Sequence, residues 1–202
     1  MHKPTRAGAL TLLALTGLTL GSVLAAPAGA TPATGFLSAA DLPPHPSSSW
    51  TAGPVTDGVP AELLLCLEDT LPGYDSRYRA FHTELDTGAR QMTIVTGTAA
   101  KAKALATRLD ADIRSCPTRI EQRDPETEAV HQDYGRLPVE EGARVHGLHT
   151  ETSWGATDIH LLSVGRDGRT VTVVEWSQLG DFDDAPVTAF KKTTVTAVAK
   201  LH

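Results

Sequence analysis

The stretch from Asp158 to Trp176 limits the possible folds more than any other part of the chain, because it predicts two apolar strands joined by a tight turn. Asp158 to Val164 and Thr170 to Trp176 are rich in Val, Ile and Leu, and Arg166-Asp167-Gly168-Arg169 between them is a strong hairpin signal. A two-residue Asp167-Gly168 turn with positive φ angles places Val164 opposite Val171, Leu162 opposite Val173 and His160 opposite Glu175. Ile159 then faces Trp176, and Leu161 faces Val174, on the other side. Both sides are apolar, as expected of a strand pair that is covered on both faces or borders a cleft.

The rest of the chain supplies strands to pair with this hairpin and helices to cover it. Tyr78 to Leu85 and Gln91 to Thr96 alternate around the turn signal Asp86-Thr87-Gly88-Ala89, predicting a hairpin with Phe81 near Ile94. A helix begins at Gly97-Thr98 with Ala102, Leu105, Ala106, Leu109, Ile113 and Cys116 at helical spacing, and Pro117 stops it. The polar stretch from Cys116 to Pro138 offers a strand around Ala129 to Tyr134, and Arg144 to Trp154 is a further strand. Asp184, after the acidic loop from Gly180, is positioned to cap a last helix whose buried stripe is Val187, Phe190, Ala197, Val198 and Leu201. The predicted class is α+β: an antiparallel β-sheet of hairpins covered by two main helices.

Upstream, Phe36 to Leu42 suits one helical turn begun by Ser38 and ended by Pro43 and Pro44. Prolines and glycines around Trp50 then predict an irregular or extended surface segment up to Pro60. The apolar run Ala61 to Leu67 brings Cys66 to the core. Residues 31–60 are thus a Pro-rich lead-in, and 61–202 the α+β domain.

Residues 1–30 have the form of an export signal: Lys3 and Arg6, an uncharged apolar stretch from Ala7 to Ala26, and Ala28-Gly29-Ala30 before an expected cut at Thr31. A retained membrane helix is the alternative, against which the Ala-Pro-Ala-Gly-Ala run argues. Neither a lipid-accepting Cys near the cut nor twin arginines occur, so the expectation is general secretion of an unfolded chain, with no cofactor and no membrane association after cleavage. The chain carries −6 overall. The signal contains two of its bases and no acid, so the remainder is more acidic still and poorly suited to nucleic acid. Only Cys66 and Cys116 occur, both in the exported part, where a disulfide is permitted. A single distant pair lacks the local spacing of a zinc site, and a catalytic role for one thiol leaves the other unexplained.

No motif names a reaction. Gly-x-Ser-x-Gly, His-Glu-x-x-His and a glycine-rich phosphate loop are all missing. Asp181, Asp183 and Asp184 lack the spacing of a calcium loop, with Lys192 where its distal Glu belongs. His146 and His149 fall on opposite faces of a strand, which suits no shared metal ion, and no metal site is expected. The most suggestive pair is His160 with Glu175, a carboxylate able to orient an imidazole across a ladder; the plain alternative is a structural pair. Trp176 and Trp154 join them as candidate ligand-binding residues, packing in the core or at an edge being the alternative.

Met92-Thr93-Ile94-Val95, the Ala-rich helix ending at Cys116, the Val171 to Trp176 strand and the Ala185 to Leu201 helix together resemble the PknH-like extracellular sensor domains of actinobacteria. That resemblance implies an antiparallel sheet with helices, braced by disulfides, and a cleft for an unidentified ligand. The family domain has two disulfides, where this chain has two cysteines. The reading that follows is a secreted, non-enzymatic ligand-binding or sensor-like module whose partner is an unknown small molecule or protein. The alternatives are a secreted hydrolase using His160 and Glu175, or a protein-binding or inhibitor module using Pro43 to Pro60.

Overall fold

Alternating apolar strands dominate the chain, and in the computed structural model they form one seven-stranded antiparallel sheet. The structure describes residues 35–60, 64–67, 70–72 and 75–202; the expected export signal lies outside the described residues. The strands are β1 Thr51–Asp57, β2 Ser76–His82, β3 Gly88–Val95, β4 Thr127–Leu137, β5 Ala143–Thr152, β6 Thr157–Asp167 and β7 Thr170–Leu179. Their spatial order is β1-β2-β3-β7-β6-β5-β4. The helices are α1 Leu64–Leu67, α2 Ala99–Arg114, α3 Cys116–Arg123 and α4 Val187–Ala199.

The two apolar sides of the β6–β7 hairpin are each covered. Leu162, Val164, Val171 and Val173 join Met92, Ile94 and Leu148 beneath Ala102, Leu109 and Ile113 of α2 and Ile120 of α3. On the opposite face, Ile159, Leu161, Val174 and Trp176 meet Phe190 and Ala197 of α4 together with Leu37 and Leu42. Full burial of a Phe or Leu side chain contributes roughly 1.5–3 kcal/mol, so these two layers explain why helices settle on both sides. The fold is therefore α+β, and Cys66 is bonded to Cys116.

The register of the central hairpin differs from the sequence expectation. Leu162 faces Glu175 rather than Val173, His160 faces Ser177, and Asp167 pairs with Thr170. The loop is thus Gly168-Arg169, with positive φ at Gly168 and not at Asp167. Contacts from the connections beside it hold it there: Glu141 Oε2, between β4 and β5, accepts the Gly168 N–H at 2.7 Å, and the Arg169 carbonyl accepts the N–H of Thr96, just past β3, at 2.8 Å. Because the shift is an even number of residues, every side chain keeps its face.

Three other expectations are corrected. Phe81 pairs with Ala89, while Ile94 lies opposite Ser76 on the other face. Pro117 does not end the helical region; α2 stops at Arg114, and Pro117 begins α3 in the first turn, where its missing N–H costs nothing. Asp184 caps nothing in α4, whose preceding residue is Pro186; its carboxylate accepts the Asp181 N–H within a 3-10 turn over Phe182–Asp184. The Pro-rich segment is extended in part, as expected: β1 forms the exposed sheet edge, with a register shift between Ala52 and Val55 that accommodates Pro54. Phe36 to Leu42 does contain its helical turn, at Ala39–Asp41.

Gly165 sets how closely α4 approaches the sheet. A Cβ there would collide with Val198 Cγ2 and lie 3.1 Å from Ala143 Cβ. Gly165→Ala is expected to lower stability by about 1–3 kcal/mol through overpacking. Urea denaturation checks this, and Val198→Ala in the same chain should restore part of the loss. An unchanged midpoint in the single variant would count against the packing account.

Candidate functional site

Glu175 sits on the face of the sheet covered by α1 to α3, with its side chain only 7% exposed. A carboxylate so buried needs compensation. Arg90, directly opposite on β3, provides part of it: Nη1 lies 3.4 Å from Oε2. His160 provides the rest, its Nδ1 lying 3.1 Å from Oε1. The two residues are diagonal neighbours across the ladder rather than directly opposite, and the even register shift is what leaves them in reach. His160 and Glu175 are therefore together, in a group completed by Arg90. Trp176 and Trp154 are elsewhere. Trp176 is on the opposite face, 3% exposed and packed in the α4 layer. Trp154 is 66% exposed, in the connection between β5 and β6.

A second group on the α2-covered face was missed in the sequence. Its centre is His146 of β5, whose side chain is fully buried. Its Nε2 lies 2.9 Å from Asp110 Oδ1 on α2, and its Nδ1 lies 3.0 Å from His131 Nε2 on β4. The carboxylate can only accept, so Nε2 of His146 carries the proton. With neutral imidazoles, Nδ1 of His146 then accepts from Nε2 of His131. The chain of bonds runs His131 to His146 to Asp110.

Charges from α2, β4 and β5 flank this chain. Arg114, one helical turn after Asp110, binds its other oxygen. Arg144 of β5 binds Asp133 of β4 and lies 3.7 Å from Asp110. Burial pushes the His146 imidazole down to about 4, outweighing the opposing pull of Asp110, and the neighbouring His131 adds to the lowering. Burial lowers His131 as well. The hydrogen bond from Arg144 holds Asp133 well below the usual carboxylate range.

One signal for this group was available. Asp110 follows Ala106 by four positions and precedes Ile113 by three, so it lies beside the apolar stripe of α2, where an acid requires a partner. The partner could not be identified, because pairing His131 with His146 depends on a register shift in β4 between Asp133 and Gly135.

Asp110 and Arg144 also border a cleft of about 570 Å³ between α2, the β4–β5 connection and the end of β6. Ala106, Leu137, Ala143 and Val164 form its apolar surface; Lys103, Arg136 and Arg166 are among its charged residues. None of His160, Glu175, Trp154 and Trp176 lines it. Trp176 instead borders a smaller hollow on the other face with Pro43, Pro44 and Trp50. The Pro-rich segment is tied down there, the Trp50 indole N–H donating to the Pro43 carbonyl at 2.7 Å.

His146 and His149 point to opposite faces, His149 packing on Phe182. Among the described residues no three His, Cys, Asp or Glu side chains converge as metal ligands, and no helix is long and apolar enough to cross a membrane. Asp181 uses its carboxylate to accept the Asp183 N–H at 2.8 Å.

No protein-family model matches the chain, and no curated protein matches it. Among solved structures, the extracellular domain of PknH from Mycobacterium tuberculosis is similar at a TM-score of 0.45 and 15% identity, over 73% of this chain and 84% of that one.

Proposed function

We propose that the protein is an exported, non-enzymatic ligand-binding module whose ligand occupies the cleft between α2 and the β4–β5 connection. The supporting observation is the cleft itself: about 570 Å³, with an apolar surface and charged groups from four separate elements. That size and mixture suit a small molecule. Export is supported by the sequence of residues 1–30 and agrees with the Cys66–Cys116 disulfide. His160 and Glu175 form a second polar position on the same face.

A hydrolytic reading would use His160 as a base oriented by Glu175. Among the described residues, however, no hydroxyl or thiol is hydrogen-bonded to His160, and its one such partner is Glu175. A nucleophile–base contact is the geometric requirement for that chemistry. The protein is expected to be inert on general ester, peptide and phosphate-ester substrates, and turnover that disappears in His160→Ala would overturn this. Native mass spectrometry of protein purified from the culture medium of its source tests the binding reading. The expected spectrum shows a chain beginning at Thr31 with a bound small molecule; a chain retained in the cells and free of any adduct would sink the proposal.

A further inference from the structure

We infer that the cleft takes a compact organic dianion of the phosphate-monoester type, held between Lys103 of α2, Arg136 of β4 and Arg166 of β6; this rests on the cleft being the ligand site proposed above. Four cations and three acids line it, which at first sight is nearly balanced. Existing bonds decide which of these charges are free to meet a ligand. Asp110 is occupied on both oxygens, by His146 and Arg114. Glu141 places Oε2 on the Gly168 N–H at 2.7 Å. Arg144 is directed to Asp133.

Three cations remain underused. The Lys103 and Arg136 side chains make no ion pair or hydrogen bond among the described residues. Arg166 is closest to a carboxylate at 3.7 Å, to Glu141, well beyond a charge-assisted hydrogen bond. Against them stands one acid without a side-chain partner, Glu140, in the turn before β5 with φ at 44°. Glu141 keeps its own charge, since the Gly168 N–H it accepts is neutral, so three cations face two acids and the surplus is one positive charge. On a chain of net charge −6 this is not a reflection of composition. Guanidinium groups present planar forks suited to phosphate oxygens, and a lysine adds a point charge. Beneath them, Ala106, Leu137, Ala143 and Val164 can bury an apolar body. A hydrophobic phosphate ester, whose oxygens can accept from Lys103, Arg136 and Arg166 together, matches both features.

The probes are phenyl phosphate, benzyl alcohol and benzylamine, which share one ring and differ in charge. Each is titrated into the purified protein while the amide resonances of Lys103 to Thr107 and of Gly142 to Arg144 are followed. Phenyl phosphate is expected to shift both sets and to bind more weakly as salt rises. Lys103→Ala and Arg136→Ala should each weaken it about tenfold, with the remaining spectrum unchanged because both side chains are exposed and unpaired. Binding of benzyl alcohol or benzylamine at these positions as strongly as phenyl phosphate would overturn the dianion while leaving a ligand-binding cleft. No shift with phenyl phosphate at millimolar concentrations would also overturn it; the mass spectrum of the native protein then decides separately whether the cleft binds anything.

Discussion

Replacing both Cys66 and Cys116 with alanine is expected to lower the free energy of unfolding by about 4 kcal/mol, the value the chain-entropy model assigns to a closed loop of this length. The bridge spans 50 residues of sequence, a loop that starts within α1 and contains β2, β3 and α2, so cutting it releases much of the covered face. Both sulfurs lie in the core, with Cys66 and Cys116 among the residues that α2 and α3 bury. Alanine is the right replacement there, since a serine hydroxyl would be buried as well. Arg119 remains as a partial tie, donating to the Cys66 carbonyl at 2.5 Å and the Asp112 carbonyl at 2.7 Å. A typical domain is stable by only 5–15 kcal/mol, so a loss of this size moves the urea midpoint far. Reduced wild-type protein should denature with the double variant. A loss below about 1 kcal/mol would show that the loop is held by packing alone.

Acid is expected to destabilise the fold at a pH where carboxylates are still ionised, and the cause is His146. Its folded pKa is depressed to about 4, whereas in the unfolded chain it returns to about 6.5. Above the unfolded value both states are neutral there and the stability is complete. As pH falls from about 6.5 toward 4 the unfolded chain takes up a proton that the folded chain refuses, so stability is lost, by up to about 3 kcal/mol across the window. His131, also lowered, contributes in the same direction. Below that window the depressed Asp133 adds its own loss, because a carboxylate bound to Arg144 must then be protonated on unfolding. His146→Gln keeps a donor for Asp110 and removes the titration. Urea midpoints between pH 7 and pH 4 should therefore change less in this variant than in the wild type. Equal slopes in the two proteins would assign the acid response elsewhere.

The two histidine groups differ in how far they could be read from the sequence. His160 and Glu175 were found from a hairpin whose register was two residues out, and they nonetheless meet. The reason is the period of a strand: an even shift preserves the face, and a side chain reaches its diagonal neighbour as well as the one opposite. Trp176, one residue from Glu175, is by the same rule on the other face, away from His160. Asp110, His131 and His146 come from three elements, and their meeting requires both the shift in β4 and the placement of α2 over β5. No local pattern encodes that.

What the sequence determined by itself were the elements whose cause is local. Apolar alternation produced the strands, the helical stripe from Ala102 to Ile113 produced α2, Gly168 marked the turn, and the paired cysteines marked the bridge. These follow from side-chain periodicity, glycine's access to positive φ and the chemistry of two thiols. Only the tertiary structure decided the loop of the central hairpin, because Glu141 and Thr96 reach Gly168 and Arg169 from distant connections. It alone decided that Pro117 opens a helix instead of closing one, and that Lys103, Arg136 and Arg166 face a common cleft. Each of these depends on which distant groups supply the hydrogen bonds, charges and contacts, and those distances exist only once the sheet has closed.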